Sequence, residues 1–159
     1  MKKTIFSLLL AVAGVAAQAQ VGDWSVGAQM NFGSKNSMAG IGAQVQVEVA
    51  KHLRVAPEFI YYFKDNGVKN YNVNLNAQYV IGTGAPGLNV YPIAGLTYAH
   101  FTEDVPYGND TFNRVGANVG CGVEYSINGS PISFFTEERV QILKDWTQSV
   151  TTFGIKYKF

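Results

Sequence analysis

The chain has 159 residues, the length of one domain, and its 12 Lys and Arg against 11 Asp and Glu give a net charge of +1. That balance excludes the strongly basic surface a nucleic-acid binder needs. A single cysteine, Cys121, excludes an internal disulfide framework and any CxxC metal site.

Residues 1–19 read as an export signal. Lys2 and Lys3 form a basic start, residues 5–17 an apolar middle, and Ala17-Gln18-Ala19 a small-x-small cleavage site before Gln20. A spanning helix needs roughly 20 apolar residues; this run is shorter and breaks at Gln18. No cysteine lies near the cleavage site, which argues against a lipid anchor. Taking Lys2 and Lys3 from the 12 basic residues leaves 10 against 11 acidic ones in the mature domain, 20–159. No later stretch suits a spanning helix, so residence in a membrane would require a closed barrel.

From residue 22 onward the pattern has a period of two, the signature of strands with one apolar and one polar face. Trp24, Val26, Ala28, Met30 and Phe32 alternate with polar residues and glycine over 22–32. Ile41, Ala43, Val45, Val47 and Val49 do so over 40–50, and Leu53, Val55, Pro57, Phe59, Tyr61 and Phe63 over 53–64. The fourth stretch, 70–81, sets Tyr71, Val73, Leu75, Ala77, Tyr79 and Ile81 against Asn70, Asn72, Asn74, Asn76 and Gln78. The fifth, 88–101, carries Leu88, Val90, Pro92, Ala94, Leu96 and Tyr98 on one face. The sixth, 111–127, carries Val115, Ala117, Val119, Cys121, Val123 and Tyr125. Asn128-Gly129-Ser130 is a tight hairpin signal. The seventh is 131–143, and the eighth, 148–159, ends on Phe153, Ile155, Tyr157 and Phe159 at every second position.

Eight stretches of roughly 10 residues are long enough to cross a bilayer when tilted. The predicted fold is all-β: an eight-stranded antiparallel up-and-down transmembrane barrel. Connections after strands two, four and six are short, whereas those after one, three, five and seven are polar or longer, with 102–110 the longest. This asymmetry places both termini in the periplasm. A soluble barrel of lipocalin type would put its apolar face inside. Here the apolar faces end in aromatics, as interfacial girdles do. The other face holds Glu48, Arg54, Glu58, Arg114, Glu124, Glu137, Arg139 and Lys156, a density of both charges that fits a closed interior of paired groups. Glu138 departs from this. If Glu137 and Arg139 face inward, it turns toward lipid, either near an interface or through a bulge that shifts the register.

The chain resembles the small outer-membrane barrel families of OmpX/OmpA type, also labelled outer membrane protein β-barrel or porin family. The resemblance rests on the export signal, on terminal Phe159 and on Pro57-Glu58 after Arg54. It rests too on Tyr91-Pro92 before Ala94-Gly95-Leu96-Thr97-Tyr98 and on the glycine-alternating stretch 116–124. It implies residence in the outer membrane of a Gram-negative cell, among its lipids. It also implies that Phe153, Ile155, Tyr157 and Phe159 form the signal read by the barrel assembly machinery.

Pro57 and Pro92 each remove a ladder donor and are expected to mark local bulges. His52 falls in a periplasmic turn. His100, followed by Thr102 and Glu103, raises the idea of a lipid A deacylase, which would need a hydroxyl activated by an imidazole that a carboxylate orients. Threonine stands where such a site needs serine, so the expectation is no catalysis, no cofactor, no metal and a monomer. The leading expectation is a structural or surface-contact barrel acting through loops 34–38, 65–69, 102–110 and 144–147. The alternative is a small diffusion pore, disfavoured because side chains about fill an eight-stranded lumen.

Overall fold

The computed structural model describes residues 23–35, 38–65, 68–105, 108–144 and 146–159. The export signal expected at residues 1–19 lies outside these, as do parts of the four outer connections. Among the described residues the chain forms eight long strands: β1 (Trp24–Gly33), β2 (Met38–Ala50), β3 (Leu53–Asp65), β4 (Val68–Tyr79), β5 (Leu88–Val105), β6 (Gly108–Ser126), β7 (Ile132–Leu143) and β8 (Trp146–Lys158). Ile81–Gly82 prolongs β4 beyond a break at Val80 and pairs with Val90 and Asn89 of β5. Each strand pairs antiparallel with the next, and β8 returns to β1, so the sheet closes and no edge is left.

Closure gives the period of two its meaning. Along β1 exposed and buried residues alternate without a break, with Trp24, Met30 and Phe32 on the outer wall and Ser25, Gln29 and Asn31 inside. The outer wall is largely apolar, and the buried face carries most of the amides together with Arg54, Glu58, Glu124, Glu137, Arg139 and Lys156, as a barrel in lipid requires. Aromatics ring both ends. Trp24, Tyr79, Tyr125, Tyr157 and Phe159 lie at the lower end, which holds the start of β1 and the end of β8; Phe32, Tyr61, Phe63, Tyr71 and Tyr98 lie toward the upper end. At the lower end the Asn128-Gly129 turn closes with Ser130 N donating to Ile127 O at 3.0 Å, and Gly129 takes a φ of 76° that side chains resist.

Three local expectations are corrected. The predicted loop 102–110 is mostly ladder: β5 and β6 stay paired through Thr102↔Thr111, Glu103↔Asp110, Asp104↔Asn109 and Val105↔Gly108. This segment lacks apolar alternation because both its faces stand beyond the apolar band, so periodicity carried no strand signal. The expected loop asymmetry is likewise absent. The upper connections are as short as the lower ones, and the extra length sits in β5 and β6 themselves.

The prolines do not make bulges. Past Pro57 the β2 pairing goes from Gln44↔Glu58 to Val47↔Val55 in unchanged register. Past Pro92 the β4 side goes from Gln78↔Ile93 to Ile81↔Val90, again unchanged. A missing N–H interrupts the ladder on one side without displacing it. The register shifts instead lie between Glu48 and Ala50 and between Tyr62 and Asp65. The pairing of β7 with its neighbours runs unbroken past Glu138, so that residue faces outward with no bulge.

Candidate functional site

The lumen is filled in three layers. In the middle one, Arg139 of β7 reaches across to Glu58 of β3, with Nη1 donating to Oε2 at 2.5 Å and Nη2 to Oε1 at 2.8 Å. Glu58 also accepts from Gln29, from Asn74 Nδ2 at 3.2 Å and from Asn76 Nδ2 at 3.1 Å. A carboxylate so surrounded keeps its charge without water, because each lone-pair direction meets a donor. Glu137 stands beside the pair, 3.6 Å from Arg139 Nε, and accepts from Tyr91 Oη at 3.0 Å and Gln78 Nε2 at 3.2 Å. Arg139 thus grips Glu58 first, and Glu137, its expected partner, holds it less directly.

The asparagines that alternate along β4 are part of this layer. Asn118 of β6 donates to Asn76 at 3.0 Å and to Asn74 at 3.3 Å, and above them Asn72 and Gln148 both donate to Gln141. Short amides bridge one another across a narrow lumen and add no charge, although both side-chain polar atoms of Asn70 and one each of Asn72, Asn118, Gln141 and Gln148 have no protein partner.

The lower layer is centred on Glu124 of β6. Arg54 Nη1 donates to its Oε2 at 2.8 Å, and Lys156 Nζ donates to the same oxygen and to Gln46 Oε1 at 2.9 Å. Tyr91 joins the two ionic layers, its hydroxyl on Glu137 and its ring 4.9 Å from the Arg54 guanidinium. Two carboxylates and one cation in the middle, with one carboxylate and two cations below, make the two layers neutral together. Glu48 is half-buried and lines a cavity of about 170 Å³ at the lower mouth with Asp23, Arg54, Glu124, Lys156 and Lys158. None of Glu58, Glu137 or Arg139 lines that cavity.

The upper layer is mainly apolar, so the polar interior expected from the sequence is found in the middle and lower layers. Met38, Ile60 and Tyr62 are buried beside Trp146, and Ala99, Phe101 and Leu143 beside Phe112 and the same Trp146. Arg114 was expected in the ionic network, but its guanidinium lies 5.8, 5.2 and 5.5 Å from the ring centres of Phe101, Phe112 and Trp146. Its Nη1 donates to Lys144 O at 3.1 Å. The reason is height: β6 extends well above the paired part of β7, and Arg114 sits on that extension, two residues above Gly116↔Leu143. The signal for this layer was in the sequence, since Ile60, Tyr62, Ala99, Phe101 and Leu143 fall on the inward parity near the upper strand ends.

Glycines shape the filling. Gly122 lies under the Tyr91 ring, Gly154 under Phe135, and Gly120 against Arg139; a methyl group at any of them would collide with that side chain. Within the glycine alternation of 116–124, Gly122 therefore makes room for the Tyr91 ring, whereas Gly116 and Gly120 let the β7 backbone approach closely.

On the outer wall, His100 Nδ1 is 2.6 Å from Asn113 Oδ1, and its ring lies tilted by 30° against that of Tyr71, with centres 4.6 Å apart. His100 therefore touches, among the described residues, an amide and a phenol ring, where a deacylase uses a hydroxyl and a carboxylate. Among the described residues no three His, Cys, Asp or Glu side chains come together as a metal site would require. His52, on the outside of the lower turn, takes a φ of 67°. Phe153, Ile155, Tyr157 and Phe159 all lie on the outer wall of the lower half of β8 or just beyond it. Phe159 stacks on Trp24 with ring centres 4.2 Å apart.

A family model described as outer membrane protein beta-barrel domain matches residues 5–159. No curated protein matches the chain. Among solved structures, the N-terminal β-barrel domain of Pseudomonas aeruginosa OprF is 18% identical, with 87% of this chain and 98% of that one covered and a TM-score of 0.75. Neisserial surface protein A is also 18% identical, with 86% and 96% covered and a TM-score of 0.68. Ail, the attachment invasion locus protein of Yersinia pestis, is 15% identical, with 87% and 99% covered and a TM-score of 0.59.

Proposed function

The chain belongs to the outer membrane protein beta-barrel family, and we propose that within it the protein is a closed, non-enzymatic barrel with a structural or surface-contact role at its upper end. The observation that carries this reading is the Arg139–Glu58 pair, buried at mid-lumen beneath the apolar layer of Phe101, Tyr62 and Leu143. Opening a path would separate ion partners and leave each uncompensated. It would also wet an aromatic cluster.

The alternative, a passive diffusion pore, needs a continuous wet path past both layers. Contact with the outside then falls to the rim around Trp146, where Lys35 Nζ lies 4.5 Å above the indole and Arg114 beside it. Export by residues 1–19, and delivery to the membrane by assembly machinery that reads the Phe153–Phe159 alternation, complete the proposal. The test is liposome swelling. Vesicles carrying the folded protein are expected to swell no faster in a small neutral sugar than empty ones, and their lipid A to keep its mass. Swelling that grows with protein content would support the pore instead.

A further inference from the structure

The cavity at the lower mouth is walled by the lower ionic layer, and two of the groups around it are incompletely paired. Arg54 is 5% exposed; its Nη1 donates to Glu124 Oε2 at 2.8 Å, whereas Nε and Nη2 have no hydrogen-bond partner. Those two nitrogens share one edge of the guanidinium, the fork that takes a carboxylate through two parallel bonds. Buried donors left unpaired are costly, so the site is incomplete without an acceptor. Glu48 is the second group. It stands opposite Arg54 in the β2–β3 register, beside the shift between Glu48 and Ala50, and lines the same cavity. The cations around it are engaged elsewhere, Arg54 and Lys156 on Glu124 and Lys158 on Asp23 at 2.5 Å. Among the described residues no cation pairs with Glu48.

We propose that this cavity binds the head of an α-amino acid, with its carboxylate on the Arg54 fork and its ammonium on Glu48. The charges around the cavity select a zwitterion. Asp23, Glu48 and Glu124 balance Arg54, Lys156 and Lys158. A plain anion would add an uncompensated negative charge beside Glu48, and a plain cation would leave the Arg54 fork unmet. An α-amino acid is neutral overall and carries both groups on one carbon, as a donor fork and a carboxylate on adjacent strands require. The volume of about 170 Å³ suits a molecule of a few heavy atoms, and Asn89, Ser126 and Ser133 line it with further polar groups. The register shift beside Glu48 fits such a site, because a bulge at a barrel rim re-aims the neighbouring side chain. The opening lies at the lower end, so the inference is independent of the contact role proposed for the upper rim.

The test uses the folded mature protein, isotope-labelled, in lipid nanodiscs at near-neutral pH, with folding checked by heat-dependent gel mobility. The magnetic resonance signals of the Arg54 Nε–H and the Trp24 indole N–H are followed as alanine is added, since both side chains line the cavity. Saturable shifts of both are expected. Acetate and methylammonium, each carrying one half of the head, should bind at least tenfold more weakly. Glu48→Gln should weaken alanine binding at least tenfold and remove its advantage over acetate. Arg54→Lys, which keeps a cation for Glu124, should weaken it as much, read at Trp24. Nε-acetyl-lysine, an α-amino acid head on a long stem, separates two sources of the ligand. Binding like that of alanine assigns the site to heads carried by larger molecules, and exclusion assigns it to free small amino acids; either supports the proposal. No saturable shift with either amino acid overturns it and leaves the cavity to water. Acetate binding as tightly as alanine, or alanine binding that Glu48→Gln leaves unchanged, overturns it as well.

Discussion

Arg139 and Glu58 sit on strands that face each other across the lumen, four positions apart in barrel order. They meet through two parallel hydrogen bonds of 2.5 and 2.8 Å with no exposed surface on Arg139. The pair is a strut as well as an ion pair, because it ties β7 directly to β3 where no ladder connects them.

Breaking the strut on one side should be costly. Arg139→Met is expected to destabilise the folded barrel by about 3–5 kcal/mol, since Glu58 and Glu137 then stay buried with no cation beside them, and Glu58→Gln by less, since Arg139 keeps Glu137 at 3.6 Å. Urea unfolding in vesicles reads the loss. The double variant should lose much less than the sum, and strict additivity would show that the two side chains do not interact.

Gly122 and Tyr91 supply a second coupled pair, of shape instead of charge. Gly122→Ala puts a methyl group into the Tyr91 ring and is expected to cost about 1–3 kcal/mol as overpacking. Tyr91→Ala should relieve part of that loss when combined with it. A Gly122→Ala variant as stable as the parent would mean the ring has room to move.

Much of this was legible in the sequence. Every second residue faces lipid, so the strict alternation of Tyr71, Val73, Leu75, Ala77 and Tyr79 with Asn70, Asn72, Asn74, Asn76 and Gln78 gives both faces of β4 at once. Which inward residues touch was not legible. Parity places Glu58, Glu137, Arg139 and Arg114 inside, but their heights depend on the stagger of the strands around the barrel. That stagger puts Arg114 among aromatic rings and brings Arg139 to Glu58. The 102–110 ladder was missed for a related reason: beyond the apolar band neither face is selected for hydrophobicity, so pairing leaves no periodic trace.

Arg114 gives a contrast. Its half-buried guanidinium is held by ring faces and one carbonyl, so Arg114→Gln is expected to cost under about 2 kcal/mol, in line with partly exposed cation–aromatic contacts. Trp146 emission should shift at the same time. A loss as large as that of Arg139→Met would return Arg114 to the ionic network.

Phe159 carries a prediction about biogenesis. Its ring stacks on Trp24 and its backbone N donates to Trp24 O at 3.0 Å, so deletion removes more than one rim side chain. The stability loss should still be modest, about 1 kcal/mol for the stack. Assembly in cells is expected to slow far more than that. Normal insertion kinetics for the truncated chain would remove the case for Phe159 as an assembly signal.

The most direct measurement of a filled lumen is single-channel recording of the purified barrel in a planar bilayer. With the Arg139–Glu58 strut, the Glu124 centre and the Phe101–Trp146 layer in place, no stable conductance steps are expected across the working voltage range. Reproducible steps whose ion selectivity changes when Arg139 and Glu58 are neutralised together would contradict the closed lumen and make it a conducting pore.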